Sequence, residues 1–433
     1  MPDKLLACDL LIRNAAQLCT VPPQGAADRL GPIANGAVAG HDGRIVWAGA
    51  DEDVATALAP VPGCEVIDAA GCTVTPGLID PHAHLPHIGS RAKEFRLRLE
   101  GVPYLEILAR GGGILETVRA VAAAGDEDLV AAARADLDAM LLGGATTVEA
   151  KSGYGLTTQA ELRLVRLAVE AGRGHPVEVV PTFLGAHAVP PPYKGKAEDY
   201  VELVVAEMLP AARPLAEFCD VFCEPGVFSV AQSRRILDRA ARLGFDLKLH
   251  ADEMAAGGGA ELAAELGAAS ADHLLFASPA GLAAMAQAGT VAVLLPVTVL
   301  ALLGDEVTVD HCRRQAEVIR RSGATIALGT DYNPGTAPCR SMQLAMSLAC
   351  RVFGLAPGEA IVGATRHAAL ALRRGDRLGS IVPGYQADLA IWRVADHQEI
   401  PYRLGDNLVR DVIKAGRVVV RDAVLQHERW PRQ

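Results

Sequence analysis

The chain has 433 residues, of which 50% are hydrophobic and 4% aromatic, and its formal net charge at pH 7 is −10. This length is enough for one large core together with a smaller satellite domain. The negative charge argues against nucleic acid or an anionic membrane surface as a partner, although mild acidity is also ordinary for soluble enzymes. We therefore expect no nucleic acid and no membrane among its partners.

The cysteines and the N-terminus predict a cytoplasmic protein. Nine cysteines, an odd number, are scattered from Cys8 to Cys350, and no pair has the spacing of a zinc ribbon. This pattern is typical of buried thiols in a reducing cytosol rather than of a secreted disulfide framework. The N-terminus contains acidic residues and has no sustained apolar core, so it does not resemble a signal peptide. No apolar run approaches the roughly 20 residues needed to cross a bilayer.

The sequence patterns at both ends of the chain predict short β-strands. Residues 1–73 alternate apolar runs with turn signals, as at 10–14, 36–39 and 44–49, and the same texture returns at 384–392 and 412–420. We predict that residues 1–73 and 375–433 combine into one small β-sandwich domain. The alternative is two separate β appendages, each too short to bury much surface alone.

The middle of the chain, residues 74–374, predicts a (β/α)8 TIM barrel, a fold of the α/β class. Apolar or β-branched runs that end in a polar residue lie at 74–80, 146–151, 178–187, 220–224, 246–250, 270–273, 290–296 and 325–331. Segments rich in Ala, Leu, Glu and Arg lie between them at 126–142, 159–171, 197–209, 229–243 and 255–266 and predict amphipathic helices. Catalytic residues of this fold lie at the C-terminal ends of the strands.

Histidine and aspartate residues at these strand ends predict a metal site. His82 and His84 follow the first strand one residue apart, so both can face one point. Alone the pair is weak, since solvated or core histidine pairs are more common, but His250 and Asp331 complete a set of four ligands. Asp331 could instead be a turn or N-cap residue. Imidazole and carboxylate suit zinc and iron equally, so we predict one divalent or trivalent ion, zinc or iron.

Three further residues near these strand ends could bind substrate or transfer protons. Glu253 lies three residues after His250 and could hold a nitrogen-rich substrate or carry a proton; alternatively it is a solvated acid. His273 could take the proton of an attacking water or polarise a substrate oxygen, unless it is a core histidine bonded to backbone. The same two interpretations apply to His187, whereas Asp252 is interpreted as structural.

Six segments carry a resemblance to a known family: 91–95 (RAKEF), 111–114 (GGGI), 151–156 (KSGYGL), 182–187 (TFLGAH), 250–253 (HADE) and 329–336 (GTDYNPGT). On these segments the whole chain resembles the amidohydrolase superfamily and, within it, the imidazolonepropionase family. The His-x-His pair and the final aspartate mark only the superfamily. Segments 151–156 and 333–335 are much more discriminating.

The resemblance implies a small-molecule substrate, 4-imidazolone-5-propanoate, whose ring is hydrolysed to N-formimino-L-glutamate in histidine degradation by attack of a metal-bound hydroxide on the ring carbonyl. It implies that Arg91 clamps the propionate, and the chemistry agrees because a guanidinium pairs bidentately with a carboxylate. Catalytic roles fall on Glu253, His273 and Asp331, and substrate contacts on Arg91, Tyr154, His187, Glu253, Asn333, Gly335 and Thr336. The plainer alternatives are an exposed Arg91–Glu94 ion pair, half-buried packing for Tyr154 and a simple turn at 333–335.

The chain departs from the family pattern at residues 85–90, which read Leu-Pro-His-Ile-Gly-Ser. We expect this change to alter the local wall of the pocket and do not assign His87 as a ligand.

Two rival functions remain open at this stage. A deaminase of the same superfamily would use His250 and Glu253 to expel an exocyclic amine, and a non-catalytic scaffold would keep the barrel without activity. Arg91 and segment 151–156 favour ring opening over deamination. Because barrel enzymes with an appended β domain often pair, we also expect a homodimer.

Overall fold

A computed structural model describes residues 5–23, 30–102, 106 and 112–426. Gly111 and the outer ends of the two predicted β segments lie outside these ranges. The N-terminal part forms five strands of a mixed sheet, in which β1 pairs with β2, β4 and β5. The strands are β1 (Leu6–Cys19), β2 (Pro32–His41), β3 (Arg44–Ala50), β4 (Leu58–Asp68) and β5 (Thr73–Pro76), with a 3-10 turn at Asp51–Asp53 and a short helix at Val54–Ala57.

Eight parallel strands form the second sheet, in the same order as in the chain. They are β6 (Leu78–Asp80), β7 (Ala145–Lys151), β8 (Glu178–Ala186), β9 (Phe218–Cys223), β10 (Asp246–Ala251), β11 (Ser270–His273), β12 (Val291–Leu294) and β13 (Ile326–Leu328). The predicted (β/α)8 barrel is therefore confirmed. Its core contains apolar side chains of both the strands and the surrounding helices.

Helices follow most of the barrel strands. They span Ala92–Leu99, Ile114–Ala123, Asp126–Leu142, Thr158–Gly172, Ala197–Leu203, Leu209–Ala212, Val230–Leu243, Gly259–Glu265, Pro279–Ala288, Pro296–Leu302, Val309–Ser322, Met342–Leu348, Pro357–Gly363 and Arg366–Ala371. A further helix, Glu399–Tyr402, lies between two C-terminal strands of the mixed sheet. Shorter helical turns are Pro191–Tyr193, Val204–Met208 and Ala349–Phe353. The helix predicted at 255–266 begins only at Gly259, because the Asp252 carboxylate accepts the backbone N–H groups of residues 257–260 and holds a loop there.

The predicted strand 74–80 is divided between the two sheets. Thr73–Pro76 forms β5 and pairs with β1, whereas Leu78–Asp80 forms β6 and pairs with β7. Gly77 lies between them, where a β-carbon would overlap the side chain of Thr146. Both pieces are fully buried, so the apolar pattern is continuous and does not mark the break.

Four C-terminal strands complete the mixed sheet: β14 (Leu389–Trp392), β15 (Val409–Lys414), β16 (Arg417–Arg421) and β17 (Val424–Leu425). β14 pairs antiparallel with β5, which places Ile391 opposite Val74. Among the described residues, the sheet has nine strands in the order β17-β16-β15-β14-β5-β1-β2-β3, with β4 on β1. A β unit built from both chain ends is thus confirmed, as one mixed sheet, and the alternative of two separate appendages is wrong.

Contacts beyond the strand ladders close the barrel between β6 and β13, which share no ladder in the described residues. The hydroxyl and the backbone N–H of Thr330 donate to the Asp80 carboxylate at 2.5 and 3.1 Å. Just beyond, the N–H of Asp331 donates to the carbonyl oxygen of His82 at 2.9 Å, and the N–H of His84 donates to that of Tyr332 at 2.9 Å. This seam brings His82, His84 and Asp331 side by side.

Within the described ranges, no helix combines the length and the apolar character that a membrane span requires.

Candidate metal and substrate site

The four predicted metal ligands meet at the C-terminal end of the barrel. His82 and His84 follow β6, His250 lies in β10 and Asp331 follows β13. None is more than 3% exposed. The ring centroid of His250 lies 4.5 Å from that of His82 and 5.5 Å from that of His84. Oδ1 of Asp331 lies 3.4 Å from Nε2 of His82 and 3.2 Å from Nε2 of His84.

The donor atoms of this cluster fit a metal ion. They form two groups, each with all donor atoms within 4.8 Å of one another: His82 with His84 and Asp331, and His82 with His250 and His273. Nε2 of His82, His250 and His273 is buried without a hydrogen-bond partner in the described residues. Buried polar atoms are rarely left unpaired, and imidazole nitrogens with a carboxylate suit a catalytic metal. The structure therefore contains a His/Asp metal-binding cluster, and His273, predicted for proton transfer, lies within its reach.

The histidines of the cluster differ in their protonation. Burial lowers the pKa of His84 to about 4, despite its contact with Asp331, so its ring is neutral and offers a lone pair. Burial and Lys151 also act to lower the pKa of His82, but Asp272 and Asp331 outweigh them and raise it to about 9. Metal binding at Nε2 of His82 would therefore displace a proton.

Two carboxylates that the sequence reasoning missed lie against the Nδ1 atoms of His82 and His250. Nδ1 of His82 lies 2.5 Å from Oδ2 of Asp272. Nδ1 of His250 lies 3.0 Å from Oδ2 of Asp220, whose Oδ1 accepts the backbone N–H of His250 at 3.1 Å. With Nδ1 turned to a carboxylate, Nε2 is the atom that faces the metal position.

A layer of paired charges fills the barrel interior below these rings. Nζ of Lys151 donates to Oδ2 of Asp220 at 2.6 Å and to Oε1 of Glu149 at 3.0 Å. Nζ of Lys248 donates to Oε2 of Glu149 at 2.7 Å and to the carbonyl oxygen of Pro81 at 2.6 Å. Buried charges are tolerated only when paired and hydrogen-bonded. A signal was available, because these charged residues occupy alternate, inward-facing positions of otherwise apolar strands.

The backbone is strained where the site residues leave the barrel. Asp252 has a φ of +52°, His273 of +78° and Asp331 of +54°. Residues other than glycine rarely adopt this left-handed region, and such positions cluster at functional sites. Here the turn directs the side chains of His273 and Asp331 toward the metal cluster after their strands end.

Glu253 and His273 lie beside each other next to the predicted ligands. Nδ1 of His273 lies 3.5 Å from Oε1 of Glu253, which is 7% exposed and hence not a solvated acid. Burial, with help from Asp331 and Glu224, raises the pKa of Glu253 to about 8. Burial holds the pKa of His273 well below its ordinary value. Near neutral pH, Glu253 therefore carries a proton, and His273 is neutral with a free Nε2.

Tyr154 and His187 lie on the side of His84. The His187 ring stacks on His84 with centroids 5.1 Å apart, and the Tyr154 ring lies 5.9 Å from His84. Nδ1 of His187 lies 3.0 Å from the carbonyl oxygen of Gly153. The buried Glu161 carboxylate accepts the N–H groups of residues 153, 155 and 156 and so fixes the loop that carries Tyr154. Tyr154 is buried rather than half-buried.

The remaining predicted substrate residues lie at or near a cleft of about 670 Å³, which Arg91, Gly335 and Thr336 line. Arg91 forms a bidentate ion pair with Glu94, and the pair is largely buried rather than exposed. Asn333 uses its amide on its own loop, where Oδ1 accepts the N–H groups of Gly335 and Thr336 at 2.8 Å each. Direct contact of Asn333 with a substrate stays a prediction.

His87, from the segment that departs from the family pattern, lines the same cleft. Its ring is buried and packs 4.9 Å from that of Tyr332, and its Nε2 has no partner in the part of the chain that the structure describes. His87 is absent from the metal groups formed by the described residues.

Comparison with known proteins places the chain in a family. The model of the amidohydrolase family matches residues 73–419. An imidazolonepropionase of Symbiobacterium thermophilum is 50% identical over 95% of this chain and 97% of its own length. An imidazolonepropionase of Geobacillus kaustophilus is 47% identical over 95% of this chain and 98% of its own length.

A solved structure agrees in fold at low sequence identity. A zinc-bound adenosine deaminase from Xanthomonas campestris has a TM-score of 0.72 and 22% identity, covering 98% of this chain and 95% of its own. That similarity extends over both the barrel and the mixed sheet. The matched family and the full-length relatives together show that the chain belongs to the amidohydrolase family and, within it, to the imidazolonepropionases.

Proposed function

We propose that this chain hydrolyses 4-imidazolone-5-propanoate to N-formimino-L-glutamate in histidine degradation. One observation carries the proposal: a His/Asp cluster, in which Nε2 of His82, His250 and His273 has no hydrogen-bond partner among the described residues, lies at the same barrel end as a cleft lined by Arg91. The first supports hydrolysis at a carbonyl, and the second supports an anionic substrate. The full-length relatives support the same reaction.

Four residues are proposed to hold one zinc or iron ion: His82, His84, His250 and Asp331. When bound, such an ion lowers the pKa of water to about 7 and polarises a carbonyl. Asp272 and Asp220 orient two of these ligands through their Nδ1 atoms. Zinc and iron are distinguished by metal analysis of protein purified without added metal, together with recovery of activity when each ion is returned to metal-free protein.

The substrate is held at its two ends. Arg91 binds the propionate, whereas Tyr154 and His187 enclose the ring next to His84. Thr336 and Gly335 form the far wall of the cleft, and Asn333 fixes the shape of their loop.

Proton transfer is assigned to His273 and Glu253. Water adds to the ring carbonyl carbon, and Nε2 of His273 either accepts the water's proton or hydrogen-bonds the developing oxyanion. Glu253 delivers its proton to the ring nitrogen that leaves when the C–N bond breaks. The former carbonyl carbon becomes a carboxylate, and the nitrogen stays in the formimino group, so no ammonia is released.

The proposal is tested by incubating the metal-loaded protein with freshly generated imidazolone propanoate. We expect loss of the substrate's ultraviolet absorbance, formation of N-formimino-L-glutamate by mass spectrometry, and no ammonia. Ammonia in proportion to substrate lost would favour a deaminase instead. A metal-loaded protein that leaves the substrate unchanged would favour the scaffold.

We further propose that the chain divides into a barrel domain at 74–374 and a β domain at 1–73 and 375–433. The pairing of β14 with β5 supports one β unit. We also propose a cytoplasmic homodimer with no nucleic-acid or membrane partner, on the grounds of cysteine use and net charge. Analytical ultracentrifugation measures the oligomeric state.

A further inference from the structure

Arg91, the residue proposed to bind the substrate's tail, already has a carboxylate partner. Its Nε donates to Oε2 of Glu94 at 2.9 Å, and its Nη2 donates to Oε1 at 2.6 Å. The Glu94 side chain is 2% exposed and that of Arg91 is 11% exposed. A neutralised guanidinium would attract an anionic ligand only weakly, so the neighbours of this pair decide whether the cleft remains positive.

A second guanidinium leaves the group with a positive charge. Nη2 of Arg98 lies 3.3 Å from Oε1 of Glu94 and donates to the carbonyl oxygen of Gly335 at 3.1 Å. Burial opposes ionisation of Glu94, but hydrogen bonds from Arg91 and from the N–H of Gly113 hold its pKa below the usual value. One carboxylate thus faces two guanidinium groups, which leaves a net charge of about +1 at the cleft.

One N–H group of Arg91 and one of Arg98 make no hydrogen bond to the described residues. In the described residues, no hydrogen bond involves Nη1 of Arg91, and Nε of Arg98 is buried without a partner. Nη1 of Arg91 lies so close to Gly335 that a β-carbon there would overlap it. Both arginines line the cleft. The open edge of the Arg91 guanidinium is therefore the edge that lies against the proposed substrate-binding loop.

We infer that Glu94 is a positioning residue for substrate specificity: it fixes the plane of the Arg91 guanidinium so that Nη1 meets the substrate's carboxylate, while Arg98 supplies the surplus charge. This inference rests on the proposed function of Arg91. A bidentate pair fixes both the position and the plane of a guanidinium, whereas a free arginine side chain samples many rotamers. Glu94 also accepts the N–H of Gly113 at 2.9 Å, so it is itself held in place.

Glu94→Gln separates positioning from simple charge, because the two predict opposite results. Removing a negative charge makes the cleft more positive, so charge alone would tighten the binding of an acid. Loss of positioning weakens it. We expect KM for imidazolone propanoate to rise roughly 10-fold to 100-fold, as for the loss of a charge-assisted hydrogen bond, with kcat and metal content little changed.

Binding of a non-reacting ligand gives a second readout. Calorimetry on the metal-loaded protein compares 3-(imidazol-4-yl)propanoate with its primary amide. We expect the unmodified protein to prefer the acid and Glu94→Gln to lose most of that preference. Glu94→Asp keeps the charge but shortens the reach, and we expect an intermediate preference. Glu100→Gln is the matched control, because it removes an exposed ion pair with Arg96 from the same helix; it should behave like the unmodified protein.

Unchanged or tighter acid binding by Glu94→Gln would overturn the inference. If Glu94→Gln does not fold, Glu94→Asp is the test. A KM of Glu94→Asp equal to that of the unmodified protein would then overturn the inference. Failure of the proposed function gives a different result: the unmodified protein would leave imidazolone propanoate intact, while the preference for acid over amide and its dependence on Glu94 would persist.

Discussion

At the C-terminal end of the barrel, Nε2 of His82, His250 and His273 is buried without a hydrogen-bond partner in the described part of the chain. At the N-terminal end, three acidic side chains at or just before the start of a strand have arginine partners. Arg374 contacts Glu178 at the start of β8 at 3.2 Å and Glu217, just before β9, at 2.7 Å. Arg373 lies 3.4 Å from Asp246 at the start of β10. The same barrel therefore carries open donor and acceptor atoms at one end and satisfied ion pairs at the other.

This difference has an energetic meaning. A buried polar atom without a partner lowers stability, and a protein retains it where a ligand or metal will occupy it. A charged group whose hydrogen-bonding atoms are all paired contributes to folding but has no atom left for a ligand. Substitutions at the C-terminal end should therefore change metal binding or turnover and spare the fold, and those at the N-terminal end should do the reverse.

The largest effect is expected from Asp331→Ala. The Asp331 carboxylate contacts His82 and His84, and its Oδ2 accepts the hydroxyl of Thr298 at 2.5 Å. Because Asp331 supplies the negative charge among the four proposed ligands and contacts two of the other three, we expect loss of both metal and activity in a folded protein. Metal analysis and circular dichroism measure the two properties. Full metal occupancy would sink the assignment of Asp331 as a ligand.

His273→Ala is expected to be the next most severe. If Nε2 of His273 transfers a proton, kcat should fall roughly 100-fold to 10,000-fold while the metal stays bound. Steady-state kinetics on protein of known metal content is the measurement. Loss of the metal would instead make His273 a ligand, as its distance to His82 and His250 permits. Near-native turnover would leave it a core residue.

Asp272→Asn tests how the carboxylate beneath the ligands acts. The neutral amide is a weaker acceptor for Nδ1 of His82, so we expect metal affinity to fall roughly 10-fold to 100-fold, the usual result of losing such a partner. Competition with a chelator measures the affinity. Asp246→Asn, at the opposite end of the barrel, is the matched control and should bind metal normally. Equal affinities in the two variants would contradict the contrast between the ends.

Glu178→Gln should affect stability and not activity. Glu178 accepts hydrogen bonds from Arg374 and Arg377, and its side chain is 23% exposed. We expect the free energy of unfolding to fall by roughly 1 to 3 kcal/mol, with kcat/KM unchanged. Denaturant unfolding measures the free energy of unfolding, and steady-state kinetics measures kcat/KM. Glu170→Gln, which removes two exposed ion pairs, with Arg173 and Arg134, should change stability by less than about 0.5 kcal/mol. A loss of turnover in Glu178→Gln would contradict the claim that the N-terminal end of the barrel affects stability and not activity.

The smallest expected effect is the pH dependence of the Glu178 contribution. Burial opposes ionisation of Glu178, but the hydrogen bond from Arg377 and the charges of Lys414 and Arg374 outweigh it and lower its pKa. A carboxylate with a lowered pKa stabilises the folded state above its unfolded pKa, about 4.3, and loses this contribution as the pH falls through the folded value. The stability gap to Glu178→Gln should thus be constant between about pH 5 and 7 and narrow below about pH 4. A gap that widens on acidification would have the wrong sign.

Much of the fold could be predicted because hydrophobic periodicity is local. The helix predicted at 126–142 coincides with Asp126–Leu142, and the strand predicted at 270–273 with Ser270–His273. Two errors share a cause. The break at Gly77 and the late start of the helix at Gly259 depend on contacts with Thr146 and with the Asp252 carboxylate, which the apolar pattern does not report.

The candidate site was predictable in its residue types but not in its support. Histidines at strand ends indicated a metal site because only a few kinds of side chain can act as metal ligands. Asp272, Lys248 and Glu94 were missed as functional residues. The alternating pattern of β10 signals that Lys248 faces inward, but the partners of these residues are known only from the fold, because they lie on other strands or one helical turn away.

By itself, the sequence determined the barrel, the β unit from both chain ends and the family, because hydrophobic periodicity and short motifs involve residues that are close together in the chain. Only the tertiary structure decided which histidine ring nitrogens lack a hydrogen-bond partner among the described residues, and which carboxylate lies against the Nδ1 atom of His82 and of His250. It alone showed that Arg91 is paired with Glu94 and lines the cleft. Those properties depend on distances of 2.5 to 3.5 Å between atoms from different strands and loops. Closure of the barrel sets such distances, because it brings strand ends about 250 residues apart in the chain into contact.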